Sequence, residues 1–91
     1  MKRIRIRVAG IVQGVGFRYF AKRNAQLLGL SGFTENMDDG SVIIEAQSDN
    51  QEILSQYISL IEQGPAHSEV RHTKVAEIPV IEGESFFYVI C

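Results

Sequence analysis

The spacing of apolar residues changes close to the N-terminus, and this change limits the folds open to the chain. Residues 3–12 are predicted to form a strand, because Ile4, Ile6 and Val8 alternate with Arg3, Arg5 and Arg7, which is the period of a half-buried β-strand. From Phe17 onward apolar side chains recur three or four positions apart, which is typical of an amphipathic helix, and Gly29 is a suitable C-terminal cap. A strand followed at once by a helix predicts a domain that mixes α and β structure.

The rest of the chain continues this alternation of strands and helices. In order, the patterns predict an extended segment at 30–36, a turn at Asp38–Ser41, a returning strand at 41–47, a helix capped by Asp49 or Asn50 and ended by Gly64-Pro65, a strand within 69–80 and an apolar segment at Phe86–Ile90. This order predicts an α+β fold of the ferredoxin-like βαββαβ type, with a mostly antiparallel sheet. Right-handed crossovers place both helices on one face. Arg3, Arg5 and Arg7 would then lie on the open, solvated face.

Composition supports a single domain covering residues 1–91. The chain is 45% hydrophobic and 22% charged, and its net charge of −2 gives no positive field for nucleic acid or an anionic membrane. We find no apolar run near the ~18 residues of a membrane span and no signal peptide. The single cysteine, Cys91, can form no intramolecular disulfide. We therefore expect a cytoplasmic protein with no nucleic-acid or membrane partner.

The most informative segment leaves the first strand, turns on two glycines and enters the first helix. Glycines allow successive backbone N–H groups to point into one concavity that binds anions, and the start of the helix adds unpaired donors. Arg18 adds a guanidinium that matches two phosphate oxygens. The predicted phosphate-binding loop consists of Gln13, Gly14, Val15, Gly16, Phe17 and Arg18. Taken alone, a Gly-x-Gly sequence is more often a tight connection, and the loop completes no nucleotide-binding motif.

The loop and a later asparagine together resemble the acylphosphatase family. That family carries G-x-V-Q-G-V-G-F-R, matched here by residues 10–18, and G-W-V-x-N-x-x-D-G-x-V, which residues 32–42 follow as G-F-T-E-N-M-D-D-G-S-V. Gly64-Pro65 matches a further signature, whereas Phe33 and Ser48 replace a common tryptophan and a common glycine. The resemblance spans nearly the whole chain. Related hydrogenase-maturation proteins carry a similar domain at their N-terminus, and we expect this chain to be a stand-alone enzyme.

The resemblance implies metal-independent hydrolysis of small acyl phosphates to a carboxylate and inorganic phosphate. It implies that Arg18 and the backbone amides of the 13–18 loop bind the phosphoryl group and that Asn36 orients the attacking water. A neutral amide cannot accept a proton, so we expect a substrate oxygen to do so. No general acid is required because the leaving carboxylate is a stable anion, and no metal or cofactor is expected if Arg18 and the backbone N–H groups stabilise the transition state. Inorganic phosphate and sulfate would compete with substrate, and the family favours a monomer.

Two other functions remain open to such a chain. RNA-recognition domains share this order of elements but use aromatic residues on the third strand, and residues 41–48 contain none. A non-catalytic anion sensor could use the same loop, although it would not require Asn36. The remaining candidate groups are better explained as surface, turn or tail residues: Asp38, Asp39, Glu45, Glu52, Glu62, His67, His72 and Cys91.

Overall fold

A computed structural model describes residues 1–90 of the chain, which form five strands and two helices. The elements are β1 (Lys2–Ile11), α1 (Phe17–Leu27), β2 (Ser31–Asn36), β3 (Val42–Ser48), α2 (Gln51–Gln63), β4 (Glu69–Ile78) and β5 (Phe87–Ile90). The strands form one sheet in the order β4-β1-β3-β2-β5. The predicted α+β ferredoxin-like fold is confirmed.

Strand direction decides which loops meet at each edge of the sheet. β1 is antiparallel to β3 and to β4, β2 is antiparallel to β3, and β5 is parallel to β2. β1, β2 and β5 therefore run in the same direction and end at the same edge. The glycine loop that follows β1 and the asparagine that ends β2 are brought together at this edge.

The two helices cover one face of the sheet and bury the apolar residues of its central strands. Ile4, Ile6 and Val8 of β1 are at most 3% exposed, and the arginines between them face away from the helices. The Tyr57 hydroxyl of α2 is buried and donates a hydrogen bond of 2.8 Å to the Ala21 carbonyl of α1. Burial raises the pKa of Tyr57 well above its usual range. This contact fixes α1, and with it the start of the helix, against α2.

The predicted end of α1 is confirmed in detail. Gly29 has φ 71°, and its N–H donates to the Gln26 carbonyl, while the Leu30 N–H donates to the Ala25 carbonyl. This pair of hydrogen bonds is the Schellman motif, which satisfies carbonyls that have no partner within the helix. The chain is thereby turned directly into β2.

The start of α2 is also as predicted, whereas the start of β3 differs by one residue. Of the two candidate caps it is Asn50 whose side chain accepts hydrogen bonds from the first-turn N–H groups. β3 begins at Val42, one residue later than predicted. The reason is that the N–H and hydroxyl of Ser41 both donate to the Asp39 carboxylate, which makes Ser41 part of the turn.

The prediction that Arg3 lies on a solvated face is wrong. The segment between β4 and β5 folds over this end of the open face, and Arg3 is 0% exposed. Its Nη1 donates to Glu84 at 2.7 Å and to Gln47 at 2.9 Å. Its Nε donates to Glu45 at 2.9 Å, so Glu45, with a side chain only 13% exposed, is not a surface residue either. Arg5 and Arg7 are exposed, as predicted.

The covering segment is attached to the sheet by hydrogen bonds as well as by charge. The Gln47 side chain donates to the Ile81 carbonyl at 2.8 Å and accepts from the Ile81 N–H at 3.0 Å. Burial disfavours the charged form of Arg3, but hydrogen bonds and ion pairs with Glu84 and Glu45 outweigh it, and the net effect raises the pKa of Arg3.

Within residues 1–90, neither helix is both long and apolar enough to cross a membrane.

Candidate active site

The glycine loop makes its turn with two residues in the left-handed region. Gly14 has φ 75° and Gly16 has φ 79°, and Gly16 is the N-cap of α1. A Cβ at either position would meet no atom within 4 Å, so space is not what selects glycine. The backbone conformation selects it, because other residues adopt a positive φ only at a cost. The two glycines therefore let the chain reverse from β1 into α1 within a few residues.

This reversal leaves a run of backbone donors without acceptors. Within residues 1–90, none of the N–H groups from Gly14 to Tyr19 donates to a protein atom, and the first hydrogen bond of α1 runs from the Phe20 N–H to the Gly16 carbonyl. α1 also has no capping side chain and no acidic residue in its first turn. α2, by contrast, has the Asn50 cap and an acidic residue in its first turn. The start of α1 is therefore an electropositive concavity suited to an external anion.

Arg18 lies in the first turn of α1, next to these donors. Its Nη1 donates to the Ile90 carbonyl at the end of β5, at 2.9 Å. A guanidinium has five N–H donors, so this bond orients the side chain and leaves most of its donors available. Arg18, Gly14, Gly16 and Phe17 line an open cavity of about 350 Å³.

Asn36 ends β2 and lines the same cavity as Arg18. Its Oδ1 is buried and has no hydrogen-bond partner within residues 1–90, although the residue as a whole is half-buried. Asn36 also lines a neighbouring cavity of about 480 Å³, and its Nδ2 makes no hydrogen bond within residues 1–90, which leaves Nδ2 free to donate to a bound molecule. An unsatisfied buried acceptor destabilises a fold by about 1–3 kcal/mol, so the position of Asn36 is not explained by stability.

Gln13 joins the glycine loop to the β2–β3 hairpin. Its Nε2 donates to the Met37 carbonyl at 2.7 Å and to the Ser41 carbonyl at 2.9 Å. These carbonyls stand on either side of the turn that follows Asn36. Gln13 and Val15 do not line the cavity, and the amide of Gln13 is engaged with the hairpin. Gln13 thus holds the loop and Asn36 in a fixed relation.

The hairpin turn has its own ionic support. Oδ1 of Asp39 accepts from the hydroxyl and N–H of Ser41, and Oδ2 accepts from Arg7 at 2.7 Å. The Ser41 hydrogen bonds, followed by the contact with Arg7, hold the pKa of Asp39 well below its usual range. Asp39 is therefore a structural carboxylate of the turn, as predicted for a turn former.

Sequence reasoning missed four residues that line the cavity, namely Val12, Tyr19, Lys22 and Val89. One of them carried a usable signal. Lys22 follows Arg18 by four positions, and residues at this spacing are neighbours on one helix face. Val89 could not have been found in this way, because it reaches the cavity only through the pairing of β5 with β2.

The other candidates lie away from this edge or outside the described chain. His72 is exposed in β4 and His67 is exposed before it, and neither lines the cavity. Among residues 1–90, no three His, Cys, Asp or Glu side chains cluster in a way that could hold a metal ion. Cys91 lies outside the described residues.

Comparison with known proteins agrees with the fold. A sequence profile described as acylphosphatase matches residues 4–89. An acylphosphatase of Thermotoga petrophila is 48% identical over 77 residues, covering 85% of this chain and 84% of that protein. One of Chlorobaculum tepidum is 48% identical over 79 residues, covering 87% and 85%. The crystal structure of acylphosphatase from Bacillus subtilis covers both chains completely, with a TM-score of 0.94 and 36% identity. This chain therefore belongs to the acylphosphatase family, whose members are enzymes that hydrolyse acyl phosphates.

Proposed function

We propose that this chain hydrolyses small acyl phosphates without a metal ion, using Arg18 and the backbone N–H groups of the glycine loop to bind the phosphoryl group and Asn36 to orient water. The single observation that carries this proposal is the cavity that Arg18 and Asn36 share beside a run of unpaired N–H groups. Of the predicted loop residues, Gly14, Gly16, Phe17 and Arg18 line it. Gln13 and Val15 contribute through the shape of the loop.

The chemistry needs positioning and electrostatic stabilisation more than proton transfer to the leaving group. The water oxygen forms a bond to phosphorus while the bond from phosphorus to the acyl oxygen breaks, and the electron pair leaves on a carboxylate. Charge in the transition state is spread over the phosphoryl oxygens. Preorganised N–H groups and the Arg18 guanidinium stabilise that charge without having to reorganise. The proton of the water passes to a phosphoryl oxygen, because Asn36 cannot accept it.

Asn36 supplies orientation. Nδ2 can donate a hydrogen bond to the water oxygen and leave a lone pair directed at phosphorus. Gln13 fixes the hairpin from which Asn36 projects. Correct orientation of bound reactants can lower a barrier by several kcal/mol, about 7–11 in the best intramolecular cases. A sensor that only binds phosphate would not require this residue.

Several further properties belong to the same proposal. The chain is one acylphosphatase-like domain over residues 1–91, active as a cytoplasmic monomer, with no nucleic-acid or membrane partner. The net charge of −2 argues against a nucleic-acid or membrane partner. The lack of an aromatic side chain on β3 also argues against RNA binding, because such a side chain is needed to stack bases. Inorganic phosphate and sulfate are competing anions, because both are tetrahedral oxyanions like the phosphoryl group that the glycine loop and Arg18 bind.

The direct test is hydrolysis of benzoyl phosphate by wild type and by Arg18→Ala. We expect a loss of about 10²–10³ in kcat/KM, the range for removal of a donor that stabilises a developing oxyanion. Arg23→Ala is the matched control, because Arg23 lies on the same helix, is exposed and does not line the cavity. Arg18→Lys should recover little, since an ammonium cannot form the bidentate contact. Near-normal activity of Arg18→Ala would refute the assigned role.

Asn36→Ala separates water positioning from phosphate binding. We expect a large fall in kcat with little change in the inhibition constant of inorganic phosphate. The midpoint of thermal unfolding should not fall, because Oδ1 of Asn36 makes no hydrogen bond within residues 1–90. An equal loss of turnover and of phosphate affinity would assign Asn36 to phosphate binding instead of water positioning.

Metal independence has a test of its own. Activity should be unchanged after treatment with EDTA, and sulfate should inhibit competitively. Loss of activity in EDTA that added Mg²⁺ restores would contradict the metal-free chemistry while leaving the roles of Arg18 and Asn36 to their own variants.

A further inference from the structure

Lys22 lines two neighbouring cavities of the molecule. One is the cavity that holds Arg18 and Asn36, and the other, of about 280 Å³, lies between the second half of α1 and the start of β5. Gln26 and Ser85 contribute polar side chains to this second cavity. Together the two cavities form a groove that runs from the glycine loop along the contact between α1 and β5, and Lys22 lies where they meet.

The charged side chains along this groove are all positive. Arg18 and Lys22 line it, and no acidic residue among positions 1–90 does. Lys22 is half-buried and forms no ion pair or hydrogen bond within the described chain, whereas Lys2, for comparison, pairs with Glu77. An ammonium without a counter-ion gains a favourable electrostatic contact when an anion binds beside it.

The direction of the groove matches the direction in which a leaving group must point. Displacement at phosphorus places the attacking and leaving oxygens roughly in line on opposite sides. Asn36, which we assign to the attacking water, stands at the edge where β2 ends. α1 starts at that edge and runs back from it, so Lys22 and the second cavity lie farther along the path away from Asn36. The acyl group of a bound substrate would extend toward Lys22.

We propose that Lys22 binds a negative charge on the acyl part of the substrate, so that this enzyme prefers acyl phosphates that carry a second anionic group. The proposal rests on the proposed function of Arg18 and Asn36 and adds a specificity-determining residue to it. Residues four positions apart on a helix have Cβ atoms about 5–6 Å from each other, so Arg18 and Lys22 can hold the two anionic ends of one small molecule.

The test compares two substrates that differ by one carboxylate. Benzoyl phosphate is the neutral-tail substrate and 3-carboxybenzoyl phosphate the anionic one. In 3-carboxybenzoyl phosphate the aromatic ring keeps the carboxylate away from the acyl phosphate, so the carboxylate cannot attack it to form a cyclic anhydride. The ratio of kcat/KM for the anionic substrate to kcat/KM for benzoyl phosphate is measured in wild type and in each variant. Differences in intrinsic reactivity cancel when these ratios are compared.

In Lys22→Met we expect this ratio to fall about three- to fivefold, which is the size of a partly exposed charge pair. Lys22→Glu should lower it further because attraction becomes repulsion, and Lys22→Arg should restore it. Arg23→Met, the same change of charge at an exposed neighbour on the same helix, should leave the ratio unaltered. The wild-type preference should weaken as salt is raised, since exposed charges are screened.

The outcomes separate the two proposals. If wild type hydrolyses neither benzoyl phosphate nor 3-carboxybenzoyl phosphate, the proposed function is wrong. If it hydrolyses benzoyl phosphate but Lys22→Met leaves the ratio unchanged, only the role of Lys22 is overturned. If Lys22→Met lowers both kcat/KM values equally, Lys22 acts on the phosphoryl group, and the preference for an anionic acyl group is refuted as well.

Discussion

The buried position of Arg3 makes a strong prediction about stability. Arg3→Met keeps a long unbranched side chain but removes the charge and every donor of the guanidinium. Glu84 and Glu45, whose side chains are 7% and 13% exposed, would lose their only ionic partner among residues 1–90. Gln47 would lose a hydrogen-bond donor to its Oε1.

The size of the effect follows from this environment. Removing one partner of a buried ion pair costs about 3–5 kcal/mol, because the remaining charge is left without compensation. The slight exposure of Glu45 allows some hydration, so we expect the lower end, about 3 kcal/mol. For a domain of this size, 1 kcal/mol lowers Tm by about 4–8 °C, which gives a fall of about 12–24 °C.

Urea and thermal unfolding followed by circular dichroism would measure this change. Arg5→Met is the matched control, since Arg5 lies on the same strand and face but is exposed, and a surface substitution of this kind stays within about 0.5 kcal/mol. Adding Glu84→Gln to Arg3→Met should recover part of the loss by removing an unpaired carboxylate. If Arg3→Met is no more destabilising than Arg5→Met, the reasoning on the buried network is refuted.

Two smaller predictions concern Thr34 and Asp39. Oγ1 of Thr34 is fully buried without a partner within residues 1–90, so Thr34→Val should raise the free energy of unfolding by about 1 kcal/mol; a decrease would reveal a hydrogen bond to bound water. The lowered pKa of Asp39 stabilises the fold fully above the unfolded pKa of about 4, and this contribution is lost progressively as pH falls from there through the lower pKa of the folded state. The stability difference between wild type and Asp39→Asn, from urea unfolding at pH 6 and pH 2, should therefore shrink in acid, and a constant difference would contradict the assignment.

The elements could be predicted because their patterns are local. The shift from alternating residues to a helical period set β1 and α1, and Gly29 and Asn50 stop and start helices through bonds to nearby backbone. Arg3 could not be placed, because its alternation with Ile4 indicates only which face it shares. What covers that face is decided by Glu84, on a distant segment without periodicity.

The same distinction applies to the candidate site. Arg18 was found because its loop is a contiguous pattern, and Asn36 because a family motif includes it. The contacts that orient them were not visible, because Gln13 reaches across to the hairpin and Ile90 reaches Arg18 through strand pairing. Long-range contacts of this kind leave no signal in the spacing of a single sequence.

The hydrogen bond from Arg18 to the Ile90 carbonyl joins the first helix described here to the last strand described here. β5 leaves the ribosome after every other strand and helix described here, and until it docks beside β2 the guanidinium has no anchor. Catalytic activity should therefore appear late in folding, when β5 docks beside β2. In a refolding experiment, we expect the circular dichroism signal of the helices to return first, and acyl phosphate hydrolysis to return only when β5 has docked.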